Sequence, residues 1–330
     1  MKTKLLDLVV CPMCKGKLIC KVILKANQNG IEEGVLKCTQ CKLEYPIKNG
    51  IPRLFIEGNL DFHCTRTKDR FNYEWKKCFN LYPMWDAHFK SYLDTLPLSL
   101  ITGNGKIGLD AGCGMGRTIA MAARFCKEIV GIDLSDNAVD AAYKNTSYLS
   151  NVHIVQADIC HLPFREFFFD FIYSFGVLHH LRYPEKGFKS LAKVTKSNSP
   201  VVVYVYKDWT EESMLKGLII RLIGYLRYIT TKLPPAVLYL ICVLISPLVY
   251  ILFVLPRKLL DKWHLAISYK MPFRQCEVFA HLPGSLFDRF QAPIENRYKR
   301  SELLDWFKRE NFNKVNIKDL FGHVAWGFKP

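Results

Sequence analysis

Ile107-Gly-Leu-Asp-Ala-Gly-Cys-Gly-Met-Gly-Arg117, followed after an apolar segment by Glu128-Ile-Val-Gly-Ile-Asp-Leu-Ser135, is the stretch on which the fold turns. It reads as a buried strand, a glycine turn, a helix, and a second strand that ends in an acid. Gly112, Gly114 and Gly116 permit a tight turn and the close approach of a ligand to bare backbone. Asp133 closes the second strand, where one carboxylate can accept both hydroxyls of a ribose. This is nucleotide-type binding at the carboxyl ends of parallel strands.

The glycine spacing narrows the ligand. A dinucleotide fingerprint requires G-x-G-x-x-G. Here the spacing is G-x-G-x-G, and Arg117 stands where the last glycine would be. S-adenosylmethionine carries no phosphate and needs only room for its methionine part. On Asp110-x-Gly-x-Gly-x-Gly116 the chain resembles the class I S-adenosylmethionine-dependent methyltransferases, in the branch that includes small-molecule and quinone-ring enzymes. The resemblance runs from about Asp61 to the C-terminus. It implies an α/β fold, a Rossmann-like seven-stranded sheet, with S-adenosylmethionine as cofactor.

Working outward, the resemblance supplies further site residues. Asn151 to Asp158 reads as the third strand, and Asp158 falls where the family places an acid against the adenine amino group, with Ile159 beside the ring. Leu134 follows the ribose acid. Phe168 to Phe175 reads as a fourth strand buried on both faces, as parallel strands are. Ser174 lies at its end, which in the family faces the transferred methyl group. His179 and His180 follow and are candidates to touch substrate or act as a base. The family has no general catalytic base, because methyl transfer from a sulfonium is an in-line displacement that alignment can accelerate. Pro200 to Tyr206 is the fifth strand. Ser301 to Asn311 is an amphipathic helix, and Phe312–Leu320 with His323–Phe328 forms a final strand pair.

The first 58 residues read as a separate small β domain. Cys11-Pro-Met-Cys14 and Cys38-Thr-Gln-Cys41 are two C-x-x-C pairs that can each wrap one side of a tetrahedral ion. Four thiolates leave no open position, so Cys11, Cys14, Cys38 and Cys41 are expected to hold a structural Zn2+. Asn49-Gly50 is a hairpin turn signal. The module resembles the zinc-ribbon activator subunit of tRNA, rRNA and protein methyltransferases, which implies a stabilising role in cis with no obligate protein partner. Twelve cysteines, four of them in these pairs and the rest scattered singly, suit a reducing compartment. Met1 to Asp7 is not a secretory signal, so the expected location is cytoplasmic.

Residues 59–100 form an aromatic lead-in with Phe71, Tyr73, Trp75, Phe79, Tyr82 and Trp85. Thr67 to Trp75 resembles the segment that covers the cofactor in ribbon-fused relatives, and Trp75 is placed with the cofactor residues. Residues 101–207 and 298–330 are assigned to the catalytic core.

Residues 208–297 form an insertion. Ala236 to Leu255 is a twenty-residue run without a charge, long enough to cross a bilayer, which needs roughly 20 apolar residues. The strands before and after the insertion belong to one sheet, so a single crossing is excluded. A hairpin in the bilayer, an interfacial helix pair and a soluble lid remain open. Membrane-surface contact through residues 212–260 is expected, since basic residues lie among the apolar ones. A net charge of +16 agrees with an acidic partner but does not choose among lipid, nucleic acid and phosphorylated substrate. The leading expectation is methylation of a small, hydrophobic or lipid-linked acceptor. The alternative is an RNA methyltransferase. The Asn/Asp-Pro-Pro-Tyr/Phe signature of many nucleic-acid amino methyltransferases is absent from Ser174-Phe-Gly-Val177, so nucleic acid is not favoured.

Overall fold

The computed structural model describes residues 1–28, 30–77, 97–101, 103–211, 214–263, 279–320 and 322–330. Phe79, Tyr82 and Trp85 lie outside the described residues. Two compact units are present: Met1–Glu211 with Ile294–Pro330, and Glu212–Pro293.

The first unit begins with a short helix, α1 (Leu5–Leu8), and a four-stranded antiparallel sheet: β1 (Leu18–Asn27), β2 (Gly30–Cys38), β3 (Glu44–Lys48) and β4 (Ile51–Pro52). Asn49 and Gly50 both take positive φ between β3 and β4, as a two-residue hairpin turn requires. Helix α2 (Phe62–Lys77) leads to β5 (Gly103–Ala111), α3 (Arg117–Ala122), β6 (Cys126–Asp133), α4 (Asp136–Thr146), β7 (Val152–Gln156), β8 (Phe171–Phe175), α5 (Pro184–Val194) and β9 (Pro200–Val205). In the second unit come α6 (Met214–Thr230), α7 (Pro235–Val249), a π-turn at Tyr250–Val254 that leads directly into α8 (Leu255–Lys262), and α9 (Leu282–Gln291). The chain closes in the first unit with α10 (Arg300–Arg309), β10 (Asn313–Asp319) and β11 (His323–Phe328).

The seven-stranded sheet has the order β10-β11-β9-β8-β5-β6-β7. The strands from β5 to β9 pair in parallel, and β11 enters antiparallel to β9 and β10. Every residue of β7 and β9 is buried; β9 reads as an unbroken apolar run, whereas β7 carries His153 and Gln156 among its apolar residues. The order reverses at β5, so a crevice opens at the carboxyl ends of β5 and β8.

Strand β8 begins three residues later than its apolar run suggests. Phe167 takes φ +52, and Phe169 pairs only through an isolated bridge to Thr195. The Asp170 carboxylate accepts from the Ile107 N–H at 2.8 Å, so these residues pack the sheet's lower edge instead of extending it.

The N-terminal sheet is not packed as an independent body. Met1, Leu5, Leu18 and Leu36 share one apolar core with Ile159, Leu162 and Phe164. Val10 donates its N–H to Pro163 O at 2.8 Å, and Leu54 donates to Gln156 O at 2.8 Å. Lys4 pairs with the buried Glu128, whose other oxygen lies 2.8 Å from His153 Nε2.

Candidate active site

The crevice is built by the turn after β5. Gly112 and Gly114 hold φ of +91° and +51°. A Cβ on Gly112 would sit 2.1 Å from the Val177 side chain, and one on Gly114 would sit 3.0 Å from the Trp75 indole. Both positions therefore exclude side chains, by conformation and by space. Gly116 caps α3 in the left-handed region. The turn is strapped to the neighbouring strand, because Gly112 and Cys113 both donate to Ile132 O at 2.8 Å.

Asp133 ends β6 beside this turn. Its Oδ2 accepts from Gly114 N at 3.1 Å and its Oδ1 from Ser135 N at 2.9 Å. Burial pushes its carboxyl above the usual range, against the pull of those N–H donors. A carboxylate has about four acceptor sites, so one on each oxygen remains for a diol. Leu134 O accepts from Gln156 Nε2 at 2.8 Å. Asp158 follows β7. Its Oδ1 accepts from Cys160 N at 2.9 Å, and its Oδ2 lies 2.6 Å from His161 Nδ1. Ile159 is buried next to it.

Asp110 and Ser174 stand one layer behind. Asp110 is buried, receives the Thr118 hydroxyl at 2.6 Å, and is pushed up to about 7 by burial. Ser174 is also buried and donates to Ala111 O at 2.7 Å. Both side chains brace the backbone around the turn.

The two histidines differ. His179 is buried and stacks on Tyr206, with ring centroids 3.9 Å apart. His180 lies with its Nδ1 2.7 Å from Ile294 O and its ring edge-on to Phe71 at 5.1 Å. A carbonyl only accepts, so Nδ1 carries the proton in the neutral ring and Nε2 keeps a lone pair. Gly176, between β8 and these histidines, has open space where a Cβ would point.

Several residues of the site carry no signal in the sequence. Asn72 on α2 accepts from Ser135 Oγ at 2.7 Å and from Asn137 N at 2.9 Å, and thereby fixes the helix that carries Trp75. Gln156 donates to Leu134 O and Asp136, and it accepts from Arg53 Nη1 at 3.0 Å. Arg53 also pairs with Asp140 at 2.7 Å. A continuous relay thus runs from the N-terminal sheet to the residue after Asp133.

At the N-terminus the Cys11, Cys14, Cys38 and Cys41 sulfurs all lie within 4.8 Å of one another. The Cys11–Cys41 and Cys14–Cys38 separations are 3.6 and 3.4 Å. A tetrahedral zinc with Zn–S of about 2.3 Å places its sulfurs ~3.8 Å apart, so the donor set fits that ion. Lys15 and Lys42, each just after a C-x-x-C pair, take positive φ and turn the chain back around the cluster. The buried Tyr45 hydroxyl lies 3.2 Å from Cys11 Sγ.

Residues 109–203 match the family described as "Methyltransferase domain", and residues 2–50 match the family described as "Trm112p-like protein". The chain belongs to the S-adenosylmethionine-dependent methyltransferases and carries a Trm112-like domain. The methyltransferase is 22% identical over 271 residues to a demethylmenaquinone methyltransferase of Staphylococcus haemolyticus, covering 81% of this chain and 88% of that one. It is 28% identical over 128 residues to a tRNA (carboxymethyluridine(34)-5-O)-methyltransferase of Arabidopsis thaliana, covering 38% of this chain and 28% of that one. Its N-terminal part is 39% identical over 61 residues to UPF0434 protein HEAR2489 of Herminiimonas arsenicoxydans, covering 18% of this chain and 88% of that one.

Proposed function

We propose that this methyltransferase transfers a methyl group to a small, hydrophobic or lipid-linked acceptor at a bilayer surface. The observation that carries this reading is the pair of long helices in residues 212–293, which leave large apolar side chains exposed along their length. That segment departs from the sheet at the carboxyl end of β9, the same end that bears the glycine turn. Pro235–Lys262 is, among the described residues, the one helix long and apolar enough to cross a membrane. The similarity to a demethylmenaquinone methyltransferase supports an apolar acceptor.

When bound, S-adenosylmethionine would supply an electrophilic methyl group to the attacking acceptor, with the thioether S-adenosylhomocysteine as the leaving group. Asp133 receives the two ribose hydroxyls on its remaining acceptor sites. Asp158, with Ile159, receives the adenine amino group and ring. The backbone of Gly112 to Gly116 would hold the methionine part, with Leu134 beside the ribose acid, and Trp75 packs on the turn. Asp110 and Ser174 keep the turn in shape. His180, with its Nε2 lone pair, takes the acceptor's proton where the acceptor has one to lose, and His179 holds Tyr206 in place by stacking. Cys11, Cys14, Cys38 and Cys41 hold a structural Zn2+. The working division is a ribbon (1–58), a lead-in (59–100), the core (101–207 and 298–330) and an acceptor-side insertion (208–297).

The test is transfer of labelled methyl from S-adenosylmethionine to total lipid, small-metabolite and RNA fractions. Label in the lipid or apolar metabolite fraction is expected. Label confined to RNA would replace this reading with the RNA methyltransferase.

A further inference from the structure

Resting on that reading, we infer that the second unit attaches to an anionic bilayer by lying flat in the interface, with α6 and the α7–α8 helix both parallel to the membrane plane. Neither helix crosses.

Each helix has one packed face and one open face. On α6 the open face carries Leu218, Leu222, Tyr225 and Ile229, spaced three and four apart, with Tyr225 73% exposed. On α7–α8 it carries Leu240, Leu244, Leu248, Ile251 and Leu255, with Leu244 69% exposed. The packed faces meet the same short helix. Helix α9 packs against both α6 and α7, and the Tyr239 and Phe287 rings lie 5.7 Å apart. Leu238, Cys242 and Ser246 are the buried side of α7. The open faces therefore turn away from α9 along their whole length. On α6 the exposed Arg221 stands among these apolar side chains, which suits an interface, whereas α7 is apolar all round, so its flat placement rests on its ties to α9 and Phe279.

The length of α6 and the ties at its ends argue against a crossing. Lys207 bridges Tyr298, and Asp208 N donates to Tyr298 O at 2.9 Å, so entry and exit of the insertion start from one point of the sheet. Met214 lies six residues beyond Asp208, a reach of at most ~21 Å. The far end of α6 is tied as well. Arg227 donates to Arg289 O at 2.6 Å and to Ala292 O at 2.8 Å, and Thr230 donates to Phe290 O at 2.9 Å. Ala292 is six residues from Tyr298, again within ~21 Å. Seventeen residues at about 1.5 Å rise make α6 about 25 Å long, short of the ~30 Å hydrocarbon core. Helix α7 starts five residues after that tied end. The long helix is pinned midway too, since the Tyr250 and Phe279 rings meet at 5.4 Å.

The headgroup chemistry follows from charge. Residues 212–293 contain ten lysines and arginines against four acidic residues. Arg221, Lys232 and Lys262 are exposed, on long stems that reach phosphates while neighbouring apolar side chains bury.

The experiment uses the full chain with phosphatidylcholine vesicles, with and without phosphatidylglycerol. Flotation with the anionic vesicles is expected, with partition reduced about a hundredfold by combining Arg221→Glu, Lys232→Glu and Lys262→Glu. S-adenosylmethionine binding by the variant reports that it is folded. A nitroxide on p-acetylphenylalanine, placed singly at 225, 244 and 255, reads depth. All three positions should lie about 5–10 Å below the phosphates. Position 244 near the bilayer centre with 225 shallow would overturn the flat arrangement and leave bilayer attachment standing. Equal binding to neutral vesicles would overturn the anionic partner. Absence of vesicle binding, or a dimer in buffer that shields all three labels, would overturn the inference outright. Methylation of an apolar acceptor dispersed in detergent would then still support the acceptor assignment, and only label confined to RNA would remove that.

Discussion

Replacing Arg53 by methionine tests whether the ribbon holds the cofactor side of the sheet through hydrogen bonds or merely leans on it. Methionine keeps most of the apolar stem and removes the guanidinium. Three contacts are lost, to Gln156 Oε1 at 3.0 Å, to Asp140 Oδ1 at 2.7 Å and a long one to Lys48 O at 3.5 Å. Gln156 is fully buried, so its orphaned carbonyl oxygen costs about 1–3 kcal/mol. The Asp140 side chain is 39% exposed, so solvent screens that pair and it contributes at most ~1 kcal/mol. The expected loss is about 1–4 kcal/mol, a sizeable share of the roughly 5–15 kcal/mol that holds a domain together. A second consequence is local. Gln156 Nε2 donates to Leu134 O and to Asp136. A Gln156 side chain released from Arg53 holds Leu134 less firmly, and affinity for S-adenosylmethionine should fall severalfold.

Urea titration followed by tryptophan fluorescence reads the first effect, and calorimetry with S-adenosylmethionine reads the second. Arg53→Lys provides the control. An ammonium reaches one acceptor but lacks the planar fork that spans two, so it should recover only part of the loss. A midpoint shift equivalent to less than ~0.5 kcal/mol, the size of an ordinary surface substitution, would refute the relay. Normal affinity in a clearly destabilised Arg53→Met protein would refute only its extension to Leu134.

Asp133→Ala should weaken S-adenosylmethionine binding by about 1–3 kcal/mol, because Gly114 N and the ribose both lose their acceptor; unchanged affinity in calorimetry removes the assignment. Asp110 makes a pH prediction. Burial raises its folded pKa to about 7 from 3.8, so between those values the folded chain binds a proton that the unfolded chain has released. Its contribution to stability is therefore largest near pH 4 and is lost as pH rises through about 7. Thermal scans from pH 5 to 8 should show a falling Tm in the parent and a flatter profile in Asp110→Asn; parallel profiles would refute the buried-acid argument. Chelation at the four cysteines should unfold the N-terminal sheet and lower the Tm of the first unit, since metal affinity there is folding energy; a Tm unmoved by chelator in a protein shown to hold zinc would refute it.

The parts legible in the sequence share one property: their signal is local. The glycine turn is read from five consecutive residues because positive φ and close approach select glycine whatever surrounds it. The thiolate cluster is read from two short pairs, since a metal ligand must sit at fixed spacing. The strands are read from largely apolar runs. Arg53, Asn72, Gln156 and His161 were not legible, and the reason is physical. Asn72 meets Ser135 across 63 positions, and Arg53 meets Gln156 across 103. Single polar residues of this kind look like solvated surface until the fold brings a partner to each. Gln156 makes the point sharply: it ends a fully buried strand, where an unpaired amide is disfavoured. The sequence contains that anomaly, an amide closing the run Val152-His-Ile-Val-Gln156, but nothing in it says which distant residue resolves it. Asp110 and Ser174 show the converse case. Both stand in segments that the family resemblance assigns to the cofactor site. Burial instead turns their polar atoms toward the Thr118 hydroxyl and the Ala111 carbonyl. A motif therefore fixes where the backbone passes near the ligand, while the side chains that steady that backbone are chosen by whichever buried donor or acceptor would otherwise go without a partner.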